Sequence, residues 1–172
     1  MGAADGFSIN TTYGLELHGW TVLSVEANPE NLPSLHTYRK WVENCAVGRE
    51  VQESATFHVH VDNPEAYSAL TIAHHPVTHA EADAPWKDIT VRVETIDSLM
   101  AKWNLPALDV LCVDTEGTED DVLAGCDFAR WKPLVVIVEA WDDQAPCLKT
   151  LAGLGYTLVA QNVDNYLFVR PL

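Results

Sequence analysis

LDVLCVDTEGTEDDVLAG, residues 108–125, decides the fold. Its first part, from Leu108 to Val113, is nearly all apolar, the pattern of a parallel strand buried on both faces. The run ends in Asp114 and a Thr-Glu-Gly turn. A helix is then expected from Thr118 to Ala124, with Glu119, Asp120 and Asp121 in its first turn, where the positive end of the helix dipole favours carboxylates. A strand handing over to a helix through a short polar turn is one βα step, and two neighbours repeat its shape. Residues 134–139, LVVIVE, form a second apolar run closed by an acid, Glu139. Residues 21–26, TVLSVE, form a third, closed by Glu26.

Working outward, helices are expected between these strands. One covers residues 7–18, after a glycine-containing turn. Another covers 29–44, with Asn28 as cap, Pro29 at the first helical position, and Leu32, Leu35, Tyr38 and Val42 at helical spacing. Further helices are expected over 95–103, capped by Thr95, and over 146–154, closed by Gly155. Residues 45–47 form a strand stub, and 55–61 and 89–94 alternate as half-solvated strands. Residues 156–161 and 166–170 form a terminal hairpin. Residues 62–88 carry turn formers, histidines and no period, and so are expected to be a long loop or lid over an acceptor site. Successive βα units imply a Rossmann-like, doubly wound, mainly parallel sheet with a C-terminal antiparallel hairpin, one domain over residues 1–172. A glycine turn opening a helix normally leaves a strand; only Met1 stands before Gly2, so the first strand is expected to be missing or incomplete.

Composition narrows the partners. The formal net charge is −15, which opposes binding to nucleic acid and to anionic membranes. No apolar run approaches the roughly 20 residues of a membrane span. The opening residues lack the basic and apolar regions of a signal peptide, so a cytoplasmic location is expected. The cysteines, Cys45, Cys112, Cys126 and Cys147, show no C-x-x-C spacing, and reduced thiols are expected.

Three strand ends could carry chemistry. Gly2-Ala3-Ala4-Asp5-Gly6 is a small-residue loop entering a helix, where a ligand can approach free N–H groups, though it is not the G-x-G-x-x-G fingerprint. Glu26 ends the next strand, where an acid hydrogen-bonds ribose hydroxyls in Rossmann-like sheets. Asp114 and Glu116 follow the central strand, and Glu139 ends its neighbour. Converging carboxylates suit a general base or a divalent metal with oxygen ligands, with Asp114, Glu116 and Glu139 the candidate set. His58 and His60 share a strand face, and His74, His75 and His79 lie in the loop. His74 and His75 are further candidates for a catalytic base.

These segments together resemble the FkbM family of methyltransferases. The likeness is carried, in order, by GAADGFSINTTYGLELHGW (2–20), VLSVEANPENLPSLH (22–36), ITVRVETIDSL (89–99), LDVLCVDTEGTEDDVLAGCDF (108–128) and PLVVIVE (133–139). The resemblance implies S-adenosylmethionine as cofactor and methylation of a hydroxyl on a small metabolite or sugar. It implies that Gly2, Ala4, Asp5 and Gly6 cradle the methionine part. Glu26 would hold the ribose, Ala27 and Asn28 the adenosine side, and Ala46 and Val47 the adenine. Asp114 and Glu116 would lie near the transferred methyl and the acceptor. Two other readings compete. An NAD- or nucleotide-sugar-binding Rossmann enzyme would use Glu26 equally, but the chain has neither G-x-G-x-x-G nor a Tyr-x-x-x-Lys pair. A truncated, non-catalytic methyltransferase-like domain would keep the fold without turnover.

Overall fold

A computed structural model describes residues 1–7, 10–62, 64, 68–71 and 85–171. The fold is mixed α/β with three sheets. In the first, β1 (Leu23–Glu26) pairs in parallel with β2 (Trp41–Asn44), Leu23 opposite Trp41 and Glu26 opposite Asn44. In the second, β5 (Trp86–Glu94) lies between β3 (Ala46–Val47), to which it is parallel, and β4 (Gln52–His60), to which it is antiparallel. The third has the order β6–β7–β9–β8. There β6 (Val110–Val113) and β7 (Val135–Glu139) are parallel, and β9 (Asn165–Val169) and β8 (Thr157–Asn162) close the hairpin.

Helices join the strands: α1 (Tyr13–Leu17), α2 (Leu32–Tyr38), α3 (Ile96–Lys102), α4 (Glu119–Ala124), α5 (Phe128–Trp131) and α6 (Pro146–Gly153). The α3 start is fixed by a capping box in which Thr95 accepts from the Ser98 N–H and Ser98 Oγ accepts from the Thr95 N–H. The main core joins β1, β6, β7 and β9 to α3, α4 and α6 through Val25, Leu111, Val113, Val136, Val138, Leu99, Leu123, Leu151 and Phe168. Phe57, Val59, Val91, Val93 and Ala46 form a second cluster within the β3–β5–β4 sheet.

Several expected bounds are corrected. The helix expected over 29–44 is a 3-10 turn, Pro29–Asn31, followed by α2. It stops at Arg39, whose backbone is extended. Residues 41–44 become β2 instead, because the edge of β1 offers four partners to a segment whose Trp and Val suit a strand. The helix expected over 7–18 is only α1. The lid expected over 62–88 loses residues 86–88 to β5, whose ladder with β4 extends to the pair His60 and Trp86. The strand expected to start at residue 55 starts at Gln52, ahead of a register shift between Gln52 and Ala55. The segment after Cys126 gains α5, whose cap Asp127 accepts from the Ala129 and Arg130 N–H groups.

Residues 1–3 run between the ends of β1 and β6. The Met1 nitrogen donates to Cys112 O at 2.8 Å, and the Ala3 N–H donates to Val25 O at 3.1 Å. Beyond them a cavity of about 360 Å³ separates the two strands, lined by Leu23, Ser24, Val110, Leu111 and Ile137.

Candidate active site

The carboxyl ends of β1, β3 and β6 open on one pocket of about 330 Å³, at the small end of ligand sites. One wall is the Gly2–Ala4 turn. The next is the end of β1, with Glu26 and Ala27. A third is apolar, formed by Ala46, Val47, Phe57 and Leu70. The last is acidic, formed by Asp114, Glu116 and Glu139.

Backbone geometry puts the first and last walls together. Gly2 has φ +68°, and a Cβ on it would stand 1.7 Å from the carbonyl oxygen of Asp114. Only glycine lets the loop lie against the end of β6. Gly117, at φ +101°, is pressed on the Trp141 ring, which a Cβ would meet at 2.7 Å. The turn between these residues is gathered by Glu119, 8% exposed. Its Oε1 accepts from the Thr115 N–H at 2.9 Å and the Gly117 N–H at 3.1 Å. The first-turn acid therefore folds back on the loop that carries Asp114 and Glu116, beyond any effect on the helix dipole.

Glu26 plays a matching part. It is 6% exposed, with Oε2 accepting from the Ala4 N–H at 2.9 Å and Oε1 accepting from the Asn28 N–H at 2.8 Å. Burial raises its pKa, and these N–H donors offset part of the rise. The strand-end acid thus ties the small-residue loop to the turn after β1 while its edge remains on the pocket.

At the acidic wall, Asp114, Glu116 and Glu139 offer oxygens all within 4.8 Å of one another. Burial raises the pKa of Asp114, partly offset by a hydrogen bond from Glu139. Burial, then the charge of Asp114, pushes Glu139 up to about 10. Two half-buried carboxyls this close cannot both ionise cheaply, so Glu139 keeps its proton and donates it to Asp114. Three carboxylate ligands also match the preference of a hard divalent cation. Cys45, at the pocket edge, is pushed up to about 12 by burial and by Glu43, and stays a thiol rather than a nucleophile.

Of the residues singled out by sequence, Gly2, Ala4, Glu26, Ala27, Ala46, Val47, Asp114, Glu116 and Glu139 line this pocket. Asp5, Gly6 and Asn28 stand behind it. Asp5 Oδ1 accepts from the Phe7 N–H, and Gly6 packs on Leu35 and Arg39. Asn28, fully buried, caps the 3-10 turn by accepting from the Glu30 N–H. His74, His75 and His79 lie outside the described residues. His58 pairs with Asp88 at 2.7 Å, and His60 packs edge-on against Trp86; neither lines the pocket. Sequence reasoning did not single out Phe57, Pro64, Ser68 or Leu70 as pocket walls. The alternation of β4 puts Phe57 and Val59 on its buried face, which is the signal for Phe57. The other three depend on the bridge that folds Ala69 back on His58, which no local pattern announces.

Among the described residues, no helix is long and apolar enough to cross a membrane. No curated protein and no solved structure matches the chain. A family model does: the methyltransferase FkbM domain, over residues 1–157 of 172. The match takes in the small-residue loop, all three acid-ended strands and every residue lining the pocket except Asp164. The chain belongs to the FkbM methyltransferase family.

Proposed function

We propose that this methyltransferase uses S-adenosylmethionine and methylates a hydroxyl on a small metabolite or sugar, in a Rossmann-like, doubly wound arrangement. One observation carries the reading: the Gly2–Ala4 turn, Glu26 and Asp114, from three separate stretches of sequence, line one pocket. A nucleoside-bearing ligand needs a close backbone approach, a ribose acceptor and a small apolar wall. The Gly2 turn, Glu26 and the Ala46–Val47 strand would supply them in that order. When bound, S-adenosylmethionine supplies an electrophilic methyl on a sulfonium cation, to which an acidic cleft is complementary.

What remains for the chain is alignment and proton removal. Asp114 is the proposed base. A carboxylate whose pKa is raised by burial accepts a hydroxyl proton more readily than an exposed one, and Glu139 orients it by donating a hydrogen bond. Glu116 stands next to it on the same turn. Pro64, Ser68 and Leu70, from the segment expected to be a lid, would close the far wall over the acceptor. The three carboxylates fit a divalent cation, which would displace the proton held by Glu139. A chelator that leaves turnover intact rules out that use of them.

Calorimetry with S-adenosylmethionine, S-adenosylhomocysteine and NAD tests the reading. Micromolar-range binding of the two adenosyl ligands is expected, and binding of NAD alone would end the methyltransferase assignment of this pocket.

A further inference from the structure

The small-residue loop is held from two sides, and only one of them is the pocket side. On the pocket side its N–H groups are fixed: Ala3 donates to Val25 O and Ala4 to Glu26. On the opposite side its carbonyls are fixed, and there the central group is Arg39, the residue that ends α2.

Arg39 is 3% exposed, although it carries a guanidinium. Its Nη1 donates to Asn10 Oδ1 at 2.8 Å and to the Gly6 carbonyl at 3.4 Å. Its Nη2 donates to Thr12 Oγ1 at 2.9 Å, and its Nε lies 2.7 Å from Glu16 Oε2. All of these acceptors belong to residues 6–16, the stretch that leaves the loop. Asn10 passes the hold onward: its Nδ2 donates to the Ala3 carbonyl at 3.0 Å, in the middle of the turn. Ser34, also on α2, donates to the Asp5 carbonyl at 3.0 Å. Burying a guanidinium is costly unless its donors are met, and here the groups that meet them all shape one loop.

We propose that Arg39 is the positioning residue of the Gly2–Gly6 loop, holding its carbonyls toward α2 so that its inner face stays set for a ligand. Arg39 lies outside the pocket lining and acts through Gly6 and Asn10. The ligand part of this inference rests on the proposed use of the loop for the adenosyl cofactor; the hold on the loop does not.

The test uses Arg39→Lys, Arg39→Ala and Asn10→Ala in the full chain, with amide hydrogen exchange in the ligand-free protein and titration with S-adenosylhomocysteine. Arg39→Ala is expected to speed exchange at the Ala3, Ala4 and Gly6 amides at least tenfold and leave Val136 and Val138 unchanged. Arg39→Lys should fall between, since one ammonium cannot span Gly6, Asn10, Thr12 and Glu16 together. Asn10→Ala should move Ala3 and Ala4 more than Gly6. In the methyl-transfer assay the KM for S-adenosylmethionine should rise about tenfold with kcat within about twofold. Unchanged exchange at the loop overturns the proposal, as does a loss of kcat at constant KM. If Arg39→Ala does not fold, the lysine and Asn10 variants decide it by the same readouts. A wild-type protein that binds no adenosyl ligand refutes the cofactor reading alone, because the exchange pattern still decides whether Arg39 holds the loop.

Discussion

The two acidic ends of the pocket hold their carboxylates in opposite ways. Glu26 accepts a backbone N–H bond on each oxygen and so fixes the loop while keeping acceptor capacity toward the pocket. Among the described residues, Asp114 and Glu139 face each other with few donors and share a proton, and Glu139 has an oxygen that accepts no hydrogen bond. The difference teaches where rigidity and reactivity reside. A carboxylate held by N–H donors on both oxygens is a fastener. A carboxylate pair short of donors has a raised proton affinity and can exchange that proton with a ligand.

The comparison can be broken most sharply at Asp114. Asp114→Asn keeps an oxygen to accept from protonated Glu139, so stability should change by under about 1 kcal/mol. Loss of the proton acceptor should lower kcat about 10²-fold to 10⁴-fold. Paired turnover and urea denaturation measurements check this, and undiminished kcat removes Asp114 from catalysis.

Gly2→Val comes next. Its Cβ would occupy the space of the Asp114 carbonyl at a φ that valine rarely adopts. A loss of about 3 kcal/mol in stability is expected, together with loss of adenosyl-ligand binding. Denaturation midpoints and calorimetry would show whether loop and strand part.

Glu26→Ala should cost roughly 2–3 kcal/mol of stability and weaken S-adenosylhomocysteine binding at least tenfold, because two buried N–H donors lose a charged acceptor. Weaker binding with stability intact would mean that Glu26 serves the ligand alone and would erase the contrast with Asp114.

The last test is the pH dependence set by Glu139. Its folded pKa of about 10 lies above the ordinary value of 4.5, so the folded state holds a proton that the unfolded state releases. Stability from this group is complete below about pH 4.5 and declines as pH rises toward 10, with a limiting slope of about 1.4 kcal/mol per pH unit for one proton. Glu139→Gln should flatten that decline between pH 6 and 9. An unchanged slope in denaturation at several pH values would show that Glu139 is ionised in the folded state.

Much of this architecture was legible because it rests on local pattern. The apolar runs ending at Glu26, Asp114 and Glu139 are strands β1, β6 and β7 to within a few residues, and the Thr95 cap starts α3 where expected. Illegible features were those in which a distant partner outweighed local preference. Residues 41–44 fit a helical spacing but pair with β1, since a free strand edge offers a ladder of bonds that no helix turn there replaces. Gly6 has the composition of a ligand contact, but tertiary packing against Leu35 and Arg39 makes it a spacer, whereas Asn28 caps the turn at Pro29 as its local sequence led one to expect. Arg39 falls inside the helix expected over 29–44, and only the approach of Gly6, Asn10, Thr12 and Glu16 makes it a buried hub.

By itself, the sequence determined most of the strands and helices and the placing of an acid at the end of three strands, because hydrophobic period and turn chemistry act over a few residues. The tertiary structure decided which acid became a fastener and which a proton holder. Backbone donors reach Glu26 from residues 4 and 28, whereas Asp114 is brought against Glu139, and proton affinity depends on burial and neighbours that no short stretch of chain contains.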